Sequence, residues 1–117
     1  MQVTTPLSEA LGRYLDLQSD QMKLTAANMA NLDTPGYRTQ GFDFEAEFGK
    51  ALSATGTPEP VSAGDVDGLV TRPDGNNVSM DREALGMAKT QLEFRTGVEL
   101  LKREYSRVMT AIHAEAR

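Results

Sequence analysis

The 117-residue chain has no cysteine, no tryptophan and a single histidine, His113. Without a thiol there is no disulfide, no thiolate metal site and no cysteine nucleophile, and one imidazole cannot supply the histidine pair of a zinc centre. Aromatic residues are scarce too, four Phe and three Tyr, so a core has to be built from Leu, Met, Val and Ala. No run approaches the roughly 18–20 apolar residues of a membrane span. The start, Met1-Gln2-Val3-Thr4-Thr5-Pro6, lacks the basic and apolar regions of a cleavable signal. Positive charge is short as well: twelve Lys and Arg against seventeen Asp and Glu leave −5, the wrong sign for a protein that displaces counterions from phosphate. These absences argue against most enzymes, against nucleic-acid binding and against a bound cofactor. At this length a single domain, 1–117, is the expectation.

What is present is helical periodicity at both ends. Thr5 and Pro6 suit an N-cap and a first helical position, with Glu9 facing the positive end of the helix dipole. From Leu11 the spacing alternates four and three through Leu15, Gln18, Met22, Thr25, Met29 and Leu32, which predicts a helix over 6–32. A second apolar set, Leu7, Tyr14, Leu17 and Leu24, lies off that stripe, so the helix calls for cover on two sides. The second signal is stronger. Met80, Ala84, Met87, Gln91, Phe94, Val98, Leu101, Tyr105, Val108 and Ile112 form a heptad seam interrupted only by Gln91, on a helix expected over 79–115 with Ser79 as its cap. Leu85, Ala88 and Leu92 add a second face in its first half. Gly86 and Gly97 weaken that helix by roughly 1 kcal/mol each if exposed, or admit a close neighbour if not.

The segment between, 33–78, carries eight acids and three bases and therefore the whole net charge; the flanking helices are close to neutral. Thr34-Pro35-Gly36-Tyr37 has Pro and Gly at the central positions of a type II turn. Phe44, Phe48 and Leu52 suggest a short helix over 43–53 capped by Asp43. Residues 54–68 are rich in Gly, Pro, Ser and Thr and read as an open loop. Leu69-Val70-Thr71, followed by the Pro73-Asp74-Gly75 turn, suggests one short strand. The expected fold is mainly α: long N- and C-terminal helices pairing as an antiparallel coiled coil, joined by a short irregular, β-containing middle.

No arrangement of residues supports a reaction. His113 stands near a helix C-terminus, where a cation is favoured, and has no Ser, Cys or Asp partner at a useful spacing. Asp65-Val66-Asp67-Gly68 lacks the third acid and the closing Glu of a calcium loop. Asp43, Glu45 and Glu47 alternate with Phe44 and Phe48 as the wet face of an amphipathic segment. Apolar stripes at helical spacing are most often the inside of a hairpin, and a freestanding adaptor or chaperone that binds a partner helix fits that pattern. The alternative is a building block: two long helices with grease on two sides, and a middle too poor in apolar residues to cover them, are completed by other chains.

One run is specific. Ala26-Ala27-Asn28-Met29-Ala30-Asn31-Leu32-Asp33-Thr34-Pro35-Gly36-Tyr37-Arg38 resembles the N-terminal signature of the flagellar rod, hook and hook-associated axial proteins, with two asparagines three apart ahead of a Thr-Pro-Gly-Tyr turn. Asn28 and Asn31 share a helix face, from which their amides can reach the last free carbonyls and the turn, while Ala27 and Ala30 allow a neighbouring helix to approach. Gln40-Gly41-Phe42-Asp43-Phe44 and the run from Asp74 to Glu83 resemble the short proximal-rod members of that family. The resemblance implies a structural subunit without catalysis, placed in the periplasmic rod of the flagellar basal body and exported without a cleaved signal. It also implies partners: further copies, other axial proteins including FliE, FlgC and further rod subunits, and the flagellar type III export apparatus. On that reading Asn28, Asn31, Thr34, Pro35, Gly36 and Tyr37 are the family motif. Leu11, Leu15, Met22, Met29, Met87, Phe94, Val98, Leu101, Tyr105, Val108 and Ile112 are then the assembly seam.

Overall fold

A computed structural model describes residues 4–53 and 59–116. In chain order these form α1 (Pro6–Ala30), β1 (Gln40–Gly41), α2 (Phe44–Ser53), β2 (Gly64–Asp65) and α3 (Met80–Glu115). The long helices run antiparallel, since Thr5 meets Glu104, Gln18 meets Glu93 and Asn28 meets Glu83. The hairpin is slender, about 70 Å long and 27 by 18 Å across.

Local chemistry sets the helix ends. Thr5 caps α1 by accepting the Ser8 N–H (3.1 Å) while the Ser8 hydroxyl accepts the Thr5 N–H (2.8 Å), a reciprocal box with Pro6 just inside it. The regular helix stops at Ala30, two residues short of the expected end, because the Asn31 N–H is shared between the Ala27 and Asn28 carbonyls and Leu32 reaches back only to Met29. Ser79 caps α3 through the Arg82 N–H (3.3 Å), and α3 continues to Glu115. Asp43 does the same for α2 through Ala46 (3.2 Å).

On the second face of α1, Tyr14 finds its cover in α2, while Leu7 stays 54% exposed. The Tyr14 ring meets Phe44 and Phe48 edge-on, with centroids 5.4 and 5.7 Å away, and Arg13 donates to the carbonyl of Ala51. The strand expected at Leu69–Thr71 does not form. Val70 is 88% exposed, and the ladder is instead an antiparallel pair of two-residue strands, Gln40 opposite Asp65 and Gly41 opposite Gly64. Glycine at position 41 is what lets this ladder close, because a Cβ there would lie 2.9 Å from a methyl of Val66. Of the expected open loop, 54–58 lies outside the described residues.

The interior is unexpectedly polar. Among the described residues only Leu17 and Val78 are buried apolar side chains, while Gln18, Asn28, Thr39, Asn76 and Asn77 are all but inaccessible. The line of α3 pressed against α1 is Glu83, Thr90, Gly97 and Glu104, seven residues apart and one position ahead of the apolar heptad. Gly97 explains the offset: a Cβ added there would meet a Leu15 methyl at 2.8 Å and the Tyr14 ring at 3.2 Å, so the helices close on the residue that has no side chain. The apolar residues flank this line. Leu11, Leu15, Met22 and Met29 of α1 and Met87, Phe94, Val98, Leu101, Val108 and Ile112 of α3 are half-buried, and Tyr105 is exposed.

Candidate functional site

The polar interior gathers at the end of the hairpin where α1 turns back, and Asn28 is its hub. Its Nδ2 donates to the Gln40 carbonyl (2.9 Å) and to Glu83 Oε2 (3.2 Å). Its Oδ1 accepts the Tyr37 hydroxyl (3.0 Å) and the Gln40 N–H (3.0 Å). One amide thus ties α1 to the turn, to β1 and to α3, using both donors and both lone pairs. Glu83 lies buried here with Arg82 at 2.6 Å to balance it. Burial, and then the nearby Glu83 carboxylate, push the Tyr37 phenol above its ordinary pKa, so it stays a neutral donor to Asn28.

Asn31 acts locally. Its Nδ2 donates to the Ala27 carbonyl (2.8 Å) and its Oδ1 accepts the Thr34 hydroxyl (3.0 Å), closing the end of α1 onto the turn. The turn is type II: Tyr37 N–H reaches the Thr34 carbonyl (3.2 Å) and Gly36 takes a φ of 77°, which disfavours any residue with a Cβ. The two asparagines therefore divide the work, Asn31 serving the helix end and Asn28 the tertiary contacts. Ala27 and Ala30 remain exposed on this chain.

A second pair of asparagines completes the knot. Asn76 Nδ2 donates to the carbonyls of Asn31 (2.9 Å), Leu32 (3.0 Å) and Thr34 (2.8 Å), collecting the oxygens that the end of α1 leaves free. Arg72 adds a guanidinium bond to the Leu32 carbonyl. Asn77 Oδ1 accepts the Thr39 N–H (2.6 Å), which fixes the amide's orientation and leaves its buried Nδ2 without a partner. Gly75, at a φ of 88°, packs so closely on Gly36 that a Cβ would sit 3.3 Å from the Gly36 Cα. The two turns are thus stacked backbone to backbone.

Thr39, Asn76, Asn77 and Glu83 carry no apolar signal; the last three entered the sequence reading only within the run from Asp74 to Glu83, and Gly97 only as a place where a neighbour could come close. The other end of the hairpin has a smaller clamp. Glu104 accepts the Thr5 hydroxyl (2.8 Å) and a two-point contact from Arg107 (2.7 and 3.1 Å). The Arg107 bonds, then Thr5, hold the Glu104 carboxyl below its usual range. His113 is exposed on the last turns of α3. Among the described residues no three His, Cys, Asp or Glu side chains come together as a ligand set, and no helix is long and apolar enough to cross a membrane. The arrangement is a joint, suited to holding two helices and two turns in one fixed geometry.

One side of this joint, the end of α1 and the turn after it, falls in a stretch that matches a known family. Residues 15–38 match the family model described as flagella basal body rod protein. Over most of its length the chain is also similar to curated FlgB proteins. It is 32% identical to the flagellar basal body rod protein FlgB of Salmonella typhimurium, over 84% of this chain and 86% of that one. The chain belongs to the FlgB family. The FlgB of Cereibacter sphaeroides is 33% identical over 86% of this chain and 89% of its own, and that of Escherichia coli K12 is 29% identical over 86% and 88%. The FlgB match thus takes in the helices and the middle segment together. The motif residues Asn28, Asn31, Thr34, Pro35, Gly36 and Tyr37 all fall inside the span of the family model, whereas Asn76, Asn77 and Glu83 lie beyond it.

Proposed function

We propose that this FlgB-family chain is a structural subunit of the proximal rod of the flagellar basal body, without catalytic activity, that assembles through its terminal helices and transmits motor torque. The observation that carries the reading is the mismatch between a locked joint and unfinished seams. Every turn at the α1–α3 joint is held by hydrogen bonds, yet Leu17 and Val78 are the only buried apolar side chains among the described residues. A chain that keeps its geometry while leaving its apolar stripes half-covered is suited to burying them against neighbours. Leu11, Leu15, Met22, Met29, Met87, Phe94, Val98, Leu101, Tyr105, Val108 and Ile112 form the seam in this reading. The neighbours are further copies and other axial proteins, FliE and FlgC among them, after passage through the flagellar type III export apparatus to the periplasm. A freestanding adaptor is not favoured, because the curated relatives matched over 86–89% of their length are named as rod proteins.

The test is genetic. Deleting the gene should leave cells non-motile and without rods in electron micrographs, with motility restored by the wild-type chain and not by Val108→Asp, although that variant is still synthesised. Full swimming with Val108→Asp as the only copy would remove the seam from the proposal.

A further inference from the structure

Among the described residues, three side-chain hydrogen bonds cross from α1 and its cap to α3, and each ends on a glutamate. The Thr5 hydroxyl donates to Glu104 Oε1 (2.8 Å), Gln18 Nε2 to Glu93 Oε2 (2.8 Å) and Asn28 Nδ2 to Glu83 Oε2 (3.2 Å). The outer two belong to the clamp and the hub already described. The middle one stands apart from both, with Lys89 3.8 Å from the other Glu93 oxygen.

Its place in the pattern is unexpected. Gln18 and Thr25 are the two polar members of the α1 stripe, and they are its most buried, 1% and 2% exposed, while Leu11, Leu15, Met22 and Met29 around them are only half-buried. The α3 helix shows the same inversion: Glu83, Thr90, Gly97 and Glu104 face α1, whereas in the next position of each heptad Ala84, Gln91 and Tyr105 are exposed and Val98 is half-buried. Apolar burial has no direction and does not account for that choice. Turning α3 by one residue, about 100°, would set Ala84, Val98 and Tyr105 against α1 in place of Glu83, Gly97 and Glu104. It would also carry Glu93 away from Gln18 and leave a buried amide without its acceptor, and the loss of one buried hydrogen bond shifts an equilibrium by about tenfold.

We propose that Gln18 and Glu93 are specificity-determining residues of the hairpin: their hydrogen bond selects the face of α3 that packs on α1, and so keeps the apolar seam turned partly outward. Buried polar pairs fix register in helical assemblies in the same way, at some expense of stability. The inference goes beyond the rod reading, to which it adds the residues that leave the seam available, and it is tested on the purified chain whatever that chain assembles into.

The chain has no cysteine, so one introduced thiol reports without background. Thr90 lies on the packed line and is 6% exposed, so Thr90→Cys reacts with a thiol reagent only when α3 leaves its face or the chain unfolds, and urea midpoints separate the two routes. Combined with Gln18→Leu and Glu93→Leu, the reporter should label about tenfold faster although the urea midpoint stays at or above that of the reporter alone. Combined with Glu93→Gln, which keeps an acceptor for Gln18, it should label as slowly as the reporter alone. The proposal is overturned if the leucine pair labels no faster, if it labels faster only as far as a lowered midpoint accounts for, if it does not fold, or if Glu93→Gln labels as fast as the leucine pair.

Discussion

Replacing Asn28 with alanine removes four hydrogen bonds that link α1 to Tyr37, to both backbone groups of Gln40 and to Glu83. A buried group stripped of its partner costs about 1–3 kcal/mol. Gln40 and Tyr37 are only half-buried and regain water in part, and Glu83 keeps Arg82, so the net loss is about 3 kcal/mol, a large part of the roughly 5–15 kcal/mol that holds a domain together. Asn28→Asp separates hydrogen bonding from volume. It keeps both acceptors yet sets a second carboxylate where Nδ2 lay 3.2 Å from Glu83. Like charge raises the new carboxyl's pKa in the folded state, so its penalty is full above that raised value and fades as the pH falls toward the ordinary aspartate range, about 3.9. Urea unfolding followed by far-ultraviolet circular dichroism at pH 7 and pH 5 measures both variants. Asn28→Asp should be the worse at pH 7 and recover toward pH 5, while the loss in Asn28→Ala should change little with pH. An Asn28→Ala loss under 0.5 kcal/mol, or an Asn28→Asp loss that does not respond to pH, would refute the hub assignment.

The two glycines of α3 give opposite results. Gly86→Ala has nothing within 4 Å and should gain up to about 1 kcal/mol from helix propensity, whereas Gly97→Leu forces a side chain into Leu15 and Tyr14 and should lose about 3 kcal/mol, both read from denaturation midpoints. Gly75→Ala meets both a positive φ and the Gly36 backbone, and should lower stability by about 1–3 kcal/mol in the same assay. Glu104 has its pKa lowered by Arg107 and Thr5, so its share of stability is present above the ordinary carboxylate range and is lost as pH falls through the lowered value. Glu104→Gln should therefore flatten the acid limb of a stability-against-pH curve, visible in thermal melts taken from pH 6 to pH 3.

The helices were legible because their signals are local. Thr5, Pro6, Ser79 and Asp43 announce their caps, and the apolar repeats run long enough to fix the period. Thr34 to Tyr37 was legible as a turn because Pro35 and Gly36 leave the backbone little choice. The α1–α3 contact line was displaced by one residue because periodicity weighs apolar groups, and the closest approach here is made by Glu83, Thr90, Gly97 and Glu104. Asn76 and Asn77 stood in a run that resembles the family, but their roles were not readable from it, since Asn76 collects carbonyls that α1 leaves free more than forty residues away and Asn77 accepts the N–H of Thr39. The strand at 69–71 was misplaced for a related reason: β-branched sequence needs a partner edge, and the edge at Gln40–Gly41, where Gly41 has no room for a Cβ beside Val66, pairs with Gly64–Asp65 instead. In the site, the motif was readable as a pattern while the roles within it were not, because Asn28 and Asn31 differ only in what the rest of the chain brings to them.

The central claim is that this chain is a building block of the rod, and its most direct test is the protein composition of purified basal bodies. Mass spectrometry of basal bodies from motile cells should find the chain in stoichiometric amounts, retained after the filament and hook are removed. Motile cells that synthesise the chain but yield rods without it would contradict the account.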